Sequence, residues 1–390
     1  MKFSVEAISG VKMNEHSPRS RSVEPAAAAI LSKINTRTLS IIIFTDFRWP
    51  SDSSPDRIQP HPESRPGMNR FFTLFLLCTI LALPGPTFAK EKIVRVFILA
   101  GQSNMEGHGR IAGEQNGTLE TVSRDPATAT RYRHLHRNGQ WITRKDVWIT
   151  WLDRKGKLGV GGWAAKGAIG PELGFGWVVG DFLDDAVLLL KFGPGGTSLA
   201  GPWRPPSSGP HPGGKPRGDG IGTQYDHLIA SVKHRMVNLA TEFPELADHR
   251  PQLAGFGWHQ GWNDGCSKPD CLEYETNLAH FIRDVRKALN SPGLPFVIAG
   301  SGFGGWEQKI DRRLMIMKAQ EAVAKHDEFK GDTRYVETRS FFRDGPVSPR
   351  PIRYHWCCNA ESYWLIGEGM GRAMVELLGG PKAPPNAAGP

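Results

Sequence analysis

Residues 93–100 run Ile-Val-Arg-Val-Phe-Ile-Leu-Ala, apolar or β-branched apart from one arginine, and are bounded by lysines and a glycine. Such a run predicts a strand buried on both faces, in the middle of a parallel sheet. Similar apolar runs predict strands at residues 186–192, 253–258, 295–299 and 333–338. Between them lie stretches with an apolar stripe at helical spacing: residues 171–182, with Pro171 in the first turn, then 225–243, 272–289, 314–326 and 361–378. Strands alternating with helices predict βαβ units, so the fold class is α/β with a parallel sheet of about five strands flanked by helices.

Two stretches break the alternation. Residues 110–166 are polar and rich in Gly, Arg and Trp, with two short strands expected at 132–141, around Asn138-Gly139, and at 147–151. They read as a long excursion above the sheet that builds a substrate rim. Trp141, Trp148, Trp151 and Trp163 there either stack on sugar rings or fill a core. Residues 201–222, dense in proline and glycine, read as a surface loop.

The first 89 residues differ in character. Residues 1–67 are rich in Ser, Pro and Arg and read as disordered or as a mis-assigned start. Met68-Asn69-Arg70, an apolar run over 71–83 and small residues up to Ala89 make a secretory signal peptide over 68–89, too short to anchor in a bilayer. The folded unit is expected over 90–380, with a Pro/Ala/Gly tail at 381–390, in a chain secreted or periplasmic after cleavage near Ala89. The formal net charge is +9 over 390 residues. The basic residues are scattered and do not interleave with aromatics, which excludes a nucleic-acid-binding reading.

In open α/β sheets, chemistry collects beyond the carboxyl ends of the strands. Ser103, Gly195 and Asn263 each follow a predicted strand, and His355 lies in the last loop. These four meet the requirements of acyl transfer: a hydroxyl to attack, an imidazole to take its proton, and donors for the oxyanion. The donors would be the Ser103 and Gly195 amides and the Asn263 side chain. Taken singly, Ser103 could cap a helix and Gly195 could be a plain turn.

Gly101-Gln102-Ser103-Asn104, Gly195 before Thr-Ser, Asn263-Asp264 and a late His355 resemble the four blocks of the SGNH hydrolases, in order. More narrowly, Phe97-Ile-Leu-Ala-Gly-Gln-Ser-Asn-Met-Glu-Gly107, Trp258-His-Gln-Gly-Trp-Asn-Asp264, and His355 with Asn359-Ala-Glu-Ser-Tyr363 resemble the sialate O-acetylesterase group within carbohydrate esterase family six, over about residues 92–378. The resemblance implies a flavodoxin-like three-layer α/β/α fold, no cofactor, and O-deacetylation of carbohydrates. Ser103 would be the nucleophile, His355 the base, and Gly195 and Asn263 oxyanion donors. Gln102, His259, Gln260 and Arg204 are the candidate substrate contacts, Arg204 for the carboxylate of a sialic acid. Acetylxylan or another polysaccharide is the alternative substrate. A non-catalytic carbohydrate-binding protein on the same fold is the alternative of another class.

Two positions depart from the pattern. The common pattern has Asp three residues before the histidine, where this chain has Ile352; other members of the esterase group have Glu after Gln-Gly, where it has Trp262. The acid orienting His355 is therefore Asp264 first, then Glu337 or Asp344. Otherwise serine and histidine act alone, the imidazole held by a carbonyl. Asp264 reads equally as a structural carboxylate accepting backbone N–H bonds. Of five cysteines, Cys78 leaves with the signal peptide. Export favours disulfides among the rest, either Cys266–Cys271 or one bond between that loop and Cys357 or Cys358.

Overall fold

The computed structural model describes residues 91–382, so the expected signal peptide, the extension before it and residues 383–390 lie outside the described residues. The main sheet holds β1 (Ile93–Gly101), β2 (Thr143–Trp151), β3 (Arg154–Gly159), β4 (Ala186–Phe192), β5 (Arg250–His259), β6 (Phe296–Ala299) and β7 (Thr333–Val336), in the spatial order β7-β6-β5-β1-β4-β2-β3. All neighbours are parallel except the β2–β3 hairpin at one edge. Without that hairpin the order is the flavodoxin-like 2-1-3-4-5, whose switch point lies at the first strand. The chain leaves β1 for β4 on one side and β5 on the other, so the crevice opens where Ser103 emerges.

The helices are α1 (Pro171–Phe182), α2 (Thr223–Val237), α3 (Lys268–Ala288), α4 (Asp311–Val323) and α5 (Ala360–Leu377). They make three layers because alternate side chains of each strand face opposite cores. Val94, Val96, Ile98 and Ala100 of β1 pack with Leu228 and Val232 of α2, Leu278 and Phe281 of α3 and Ile316 of α4. Phe97 and Leu99 pack on the other face with Leu173 and Phe175 of α1 and Tyr363 and Met370 of α5.

The excursion differs from its expected form. The Asn138-Gly139 turn joins a minimal hairpin of His136–Arg137 and Gln140–Trp141, but residues 143–159 extend the main sheet by two strands. Trp148 and Trp151 are buried and fill the core, and Trp141 and Trp163 pack against it while partly exposed. Among the described residues, no helix is long and apolar enough to cross a membrane.

Candidate active site

The crevice is built on the turn that follows β1. A Cβ on Gly101 would overlap the His259 carbonyl, so only glycine fits between β1 and β5 there. One helical turn follows, Ser103–Glu106, in which the Met105 and Glu106 amides donate to the Gln102 carbonyl (2.8 and 2.9 Å). The last carbonyl of the turn, Glu106 O, accepts from Lys191 Nζ at 2.8 Å. Lys191 is buried and pairs with Glu172 at 2.7 Å, a cation sealed under the turn. The loop after β4 runs against the same turn: a Cβ on Gly193 would lie 2.6 Å from Glu106 N, whereas one on Gly195 would lie 3.8 Å from Ser103 Cβ.

His355 comes from the other end of the chain. Its Nε2 lies 3.0 Å from Ser103 Oγ. Burial holds its pKa below the ordinary imidazole value, which favours the neutral, proton-accepting form. The next three residues, Trp356, Cys357 and Cys358, all have left-handed backbone (φ 52°, 54° and 55°). Each such non-glycine residue costs about 1–3 kcal/mol, so neighbouring contacts must hold the segment. Asn104 Nδ2 donates to Tyr354 O (3.0 Å), and Tyr363 OH donates to Asn104 Oδ1 (2.9 Å) and reaches His355 O at 3.3 Å. Asn104, the residue after Ser103, thus anchors the His355 loop.

Gln102 and Gln260 tie the remaining loops. Gln102 Oε1 accepts from Gln260 Nε2 (3.1 Å), Gly261 N (3.1 Å) and Asn263 N (3.3 Å), while its Nε2 donates to Asn263 Oδ1 (3.2 Å). With its oxygen engaged there, the Asn263 amide leaves Nδ2 free. Among the described residues, neither that group nor the Ser103 or Gly195 backbone amide donates to a protein acceptor. A hydroxyl at hydrogen-bond distance from a neutral imidazole, with unused donors on the adjoining loops, has the groups that nucleophilic acyl transfer requires.

Residues 93–341 match the family model described as carbohydrate esterase, sialic acid-specific acetylesterase. The chain belongs to this family. A probable carbohydrate esterase of Arabidopsis thaliana is 24% identical over 257 residues, covering 63% of this chain and 85% of its own. The X-ray structure of that Arabidopsis protein covers 72% of this chain and 98% of its own (18% identity, TM-score 0.47). A carbohydrate acetylesterase from Xanthomonas citri covers 73% and 56% (12% identity, TM-score 0.43), and NanS 67% and 81% (14% identity, TM-score 0.40).

The esterase uses several expected contact residues elsewhere. Asp264 is fully buried and accepts from Leu199 N (3.0 Å), Ala200 N (2.9 Å) and Gln260 Nε2 (2.6 Å), with His355 not among its partners. It holds the Gly195 loop, the structural alternative. Glu337 is spent on Arg339, and Asp344 on Gly345 N and Arg353, so neither reaches the imidazole. Gln102, His259, Gln260 and Arg204, expected as substrate contacts, are all at most 3% exposed and lie behind the rim. His259 Nδ1 meets Ala299 O at 3.3 Å, and Arg204 binds Glu273 and the carbonyls of Ala200, Ser208 and Gly209.

The disulfide expectation is also corrected, since Cys266, Cys271, Cys357 and Cys358 are all free thiols. Cys266 Sγ turns to Trp262 O and Cys271 Sγ to Asp264 O and Arg312 O, so the two point to different partners.

Sequence reasoning missed Lys191, Asn104, Tyr363 and His108. A lone lysine in the apolar run 186–192 is a signal of a paired buried cation. Asn104 and Tyr363 stand inside the motifs but have no separate mark. His108, whose ring stacks on His355 at 3.9 Å, has no local signal.

Proposed function

We propose that this carbohydrate esterase removes O-acetyl groups from a carbohydrate by a Ser103–His355 mechanism. The observation that carries the reading is the 3.0 Å contact between Ser103 Oγ and His355 Nε2. As Oγ attacks the acetyl carbon, His355 takes the hydroxyl proton. The carbonyl electron pair moves onto oxygen, among the Ser103 and Gly195 amides and Asn263 Nδ2. Collapse expels the sugar oxygen, which takes the proton from His355 and leaves an acetyl-serine. Water, deprotonated by the same imidazole, hydrolyses that ester and restores the enzyme. With Asp264, Glu337 and Asp344 engaged elsewhere, the base works without a carboxylate partner among the described residues.

Arg204 was the feature that favoured a carboxylated sugar, and it is committed to Glu273. An acetylated polysaccharide such as acetylxylan therefore stands as the second reading beside a sialic acid ester. Residues 68–89 support export of the chain; N-terminal sequencing of secreted protein that did not begin near Lys90 would oppose this. Hydrolysis of p-nitrophenyl acetate is the first test. Ser103→Ala is expected to lower turnover at least about 1,000-fold. Unchanged turnover in that variant, or rates rising from acetate to octanoate, would overturn the reading. A panel of acetylated sugars then identifies the natural ester.

A further inference from the structure

Among the described residues the imidazole of His355 has no acidic partner, yet its ring is packed on two sides. Its Nε2 faces Ser103, and its ring is stacked on the ring of His108, with centroids 3.9 Å apart and planes at 11°. Tyr354 meets it nearly edge-on at 4.4 Å and 61°. His108 itself is fixed from below. Gly109 and Arg110 pair with Ile169 and Ala168, and a Cβ on Gly109 would already touch Ala360 and Tyr363 at 3.0 Å. The segment is wedged between that strand and the start of α5, which also carries the Tyr363 hydroxyl that reaches the His355 carbonyl.

The surroundings of His108 favour a stacking role over a hydrogen-bonding one. Among the described residues its Nε2 is buried with no hydrogen-bond partner, and Glu106 Oε2 lies 3.9 Å away. The charged groups beside the pair are Glu106 and, beneath the turn, Lys191. Burial first, then the neighbouring His355 and Lys191, press the His108 pKa down to about 4. The ring is therefore neutral near pH 7. Its face is turned to an imidazole that becomes cationic only when it has taken the serine proton. A cation over a π face is attracted to it, and a stacked plane also restricts rotation of the ring.

We infer that His108 is a positioning residue that takes over part of the acid's work: its ring orients His355 and stabilises the imidazolium formed during acyl transfer. The inference rests on the Ser103–His355 reading for its catalytic meaning, but its physical core is testable without turnover.

Three variants separate ring, volume and void: His108→Phe keeps an aromatic face, His108→Leu keeps bulk without one, and His108→Ala removes both. On p-nitrophenyl acetate the Leu variant is expected to lose about 3- to 30-fold in kcat with KM within about twofold, and Phe to recover most of it. If Ala does not fold, the comparison of Phe with Leu still decides. The second readout is the His355 titration followed by NMR. Leu keeps the site dry but removes the π face, so the His355 pKa is expected to fall by about 0.5 to 1 unit, and to return in Phe. Leu matching wild type in kcat and in the titration overturns the inference. A wild type inactive on every acetyl ester would overturn the proposed function instead, and the titration would still judge the stack.

Discussion

Asp264→Asn distinguishes a triad from a dyad. Were Asp264 the acid behind His355, its amide would reverse the hydrogen bond that fixes the imidazole, and turnover would fall about 10,000-fold with little change in stability. The observed bonds give the opposite expectation. An asparagine oxygen in place of Oδ2 keeps Leu199 N and Gln260 Nε2, but its NH2 then faces Ala200 N, donor against donor. One buried amide without an acceptor costs about 1–3 kcal/mol. For a domain of this size that lowers Tm by about 2–12 °C. Turnover is expected to drop about tenfold or less, through loosening of the loop that carries Gly195. A kcat loss beyond 1,000-fold at unchanged Tm would refute this.

The pH dependence of stability gives a second handle on the same residue. Burial pushes Asp264 from 3.8 up to about 6, outweighing the three donors that favour its charge. The folded state then holds this proton more tightly than the unfolded chain. Stability from this group is complete below about pH 4 and is lost as pH rises through about 6, a change of about 3 kcal/mol. Asp264→Asn has no proton to lose. Urea unfolding at pH 4 and pH 7 should therefore show the gap between wild type and variant narrowing as pH rises. A gap that widens would contradict the assignment.

Three further outcomes follow from the site. Because burial lowers the His355 pKa, the acidic limb of kcat/KM should fall below pH 6.5; a limb above 6.5 would contradict a buried neutral base. Gln102→Leu removes the acceptor of Gly261 N and Asn263 N and frees the Asn263 amide to turn. It should cost about 2–6 kcal/mol in denaturant unfolding, and up to about 100-fold in kcat. Retained kcat would exclude Asn263 as an oriented donor. Gly193→Ala would place a methyl 2.6 Å from Glu106 N, whereas Gly195→Ala has ordinary van der Waals room. Thermal melts should fall for the first and hold for the second, and equal melts would contradict the close approach.

The layered fold was legible because its central strands carry unbroken apolar runs and its helices a clear stripe. Of the β2–β3 hairpin only residues 147–151 were legible as a strand, because an edge needs only one well-buried pairing side. Thr143-Arg-Lys-Asp146 and Arg154-Lys-Gly-Lys157 carry charges that blunt the edge and erase the pattern of a buried strand. That Ser103 and His355 meet was legible from a serine following a strand and a histidine in the last loop. The roles of Gln102, Gln260 and Arg204 were not. A polar residue beside a nucleophile looks the same in sequence whether it faces the crevice or the interior, and burial decides. Once buried, each must find partners, and those partners are the loops themselves.

That division explains how a chain without the expected acid can still hold its chemical groups in register. Each group at the rim has a second, buried anchor. Gln102 fixes Asn263, Asp264 fixes the Gly195 loop, Lys191 fixes the end of the Ser103 turn, and Asn104 with Tyr363 fixes the strained segment behind His355. Gln260 Nε2 bonds Gln102, Thr197 and Asp264 at once, so two of these anchors share one side chain. Energy in such a network is cooperative, since loss of one bond reorients a group that serves two others. An acid behind the histidine restrains one ring through one bond; this network restrains the loops that carry all four groups. With the backbone so fixed, a stacked neighbour is enough to set the remaining freedom, rotation of the His355 ring.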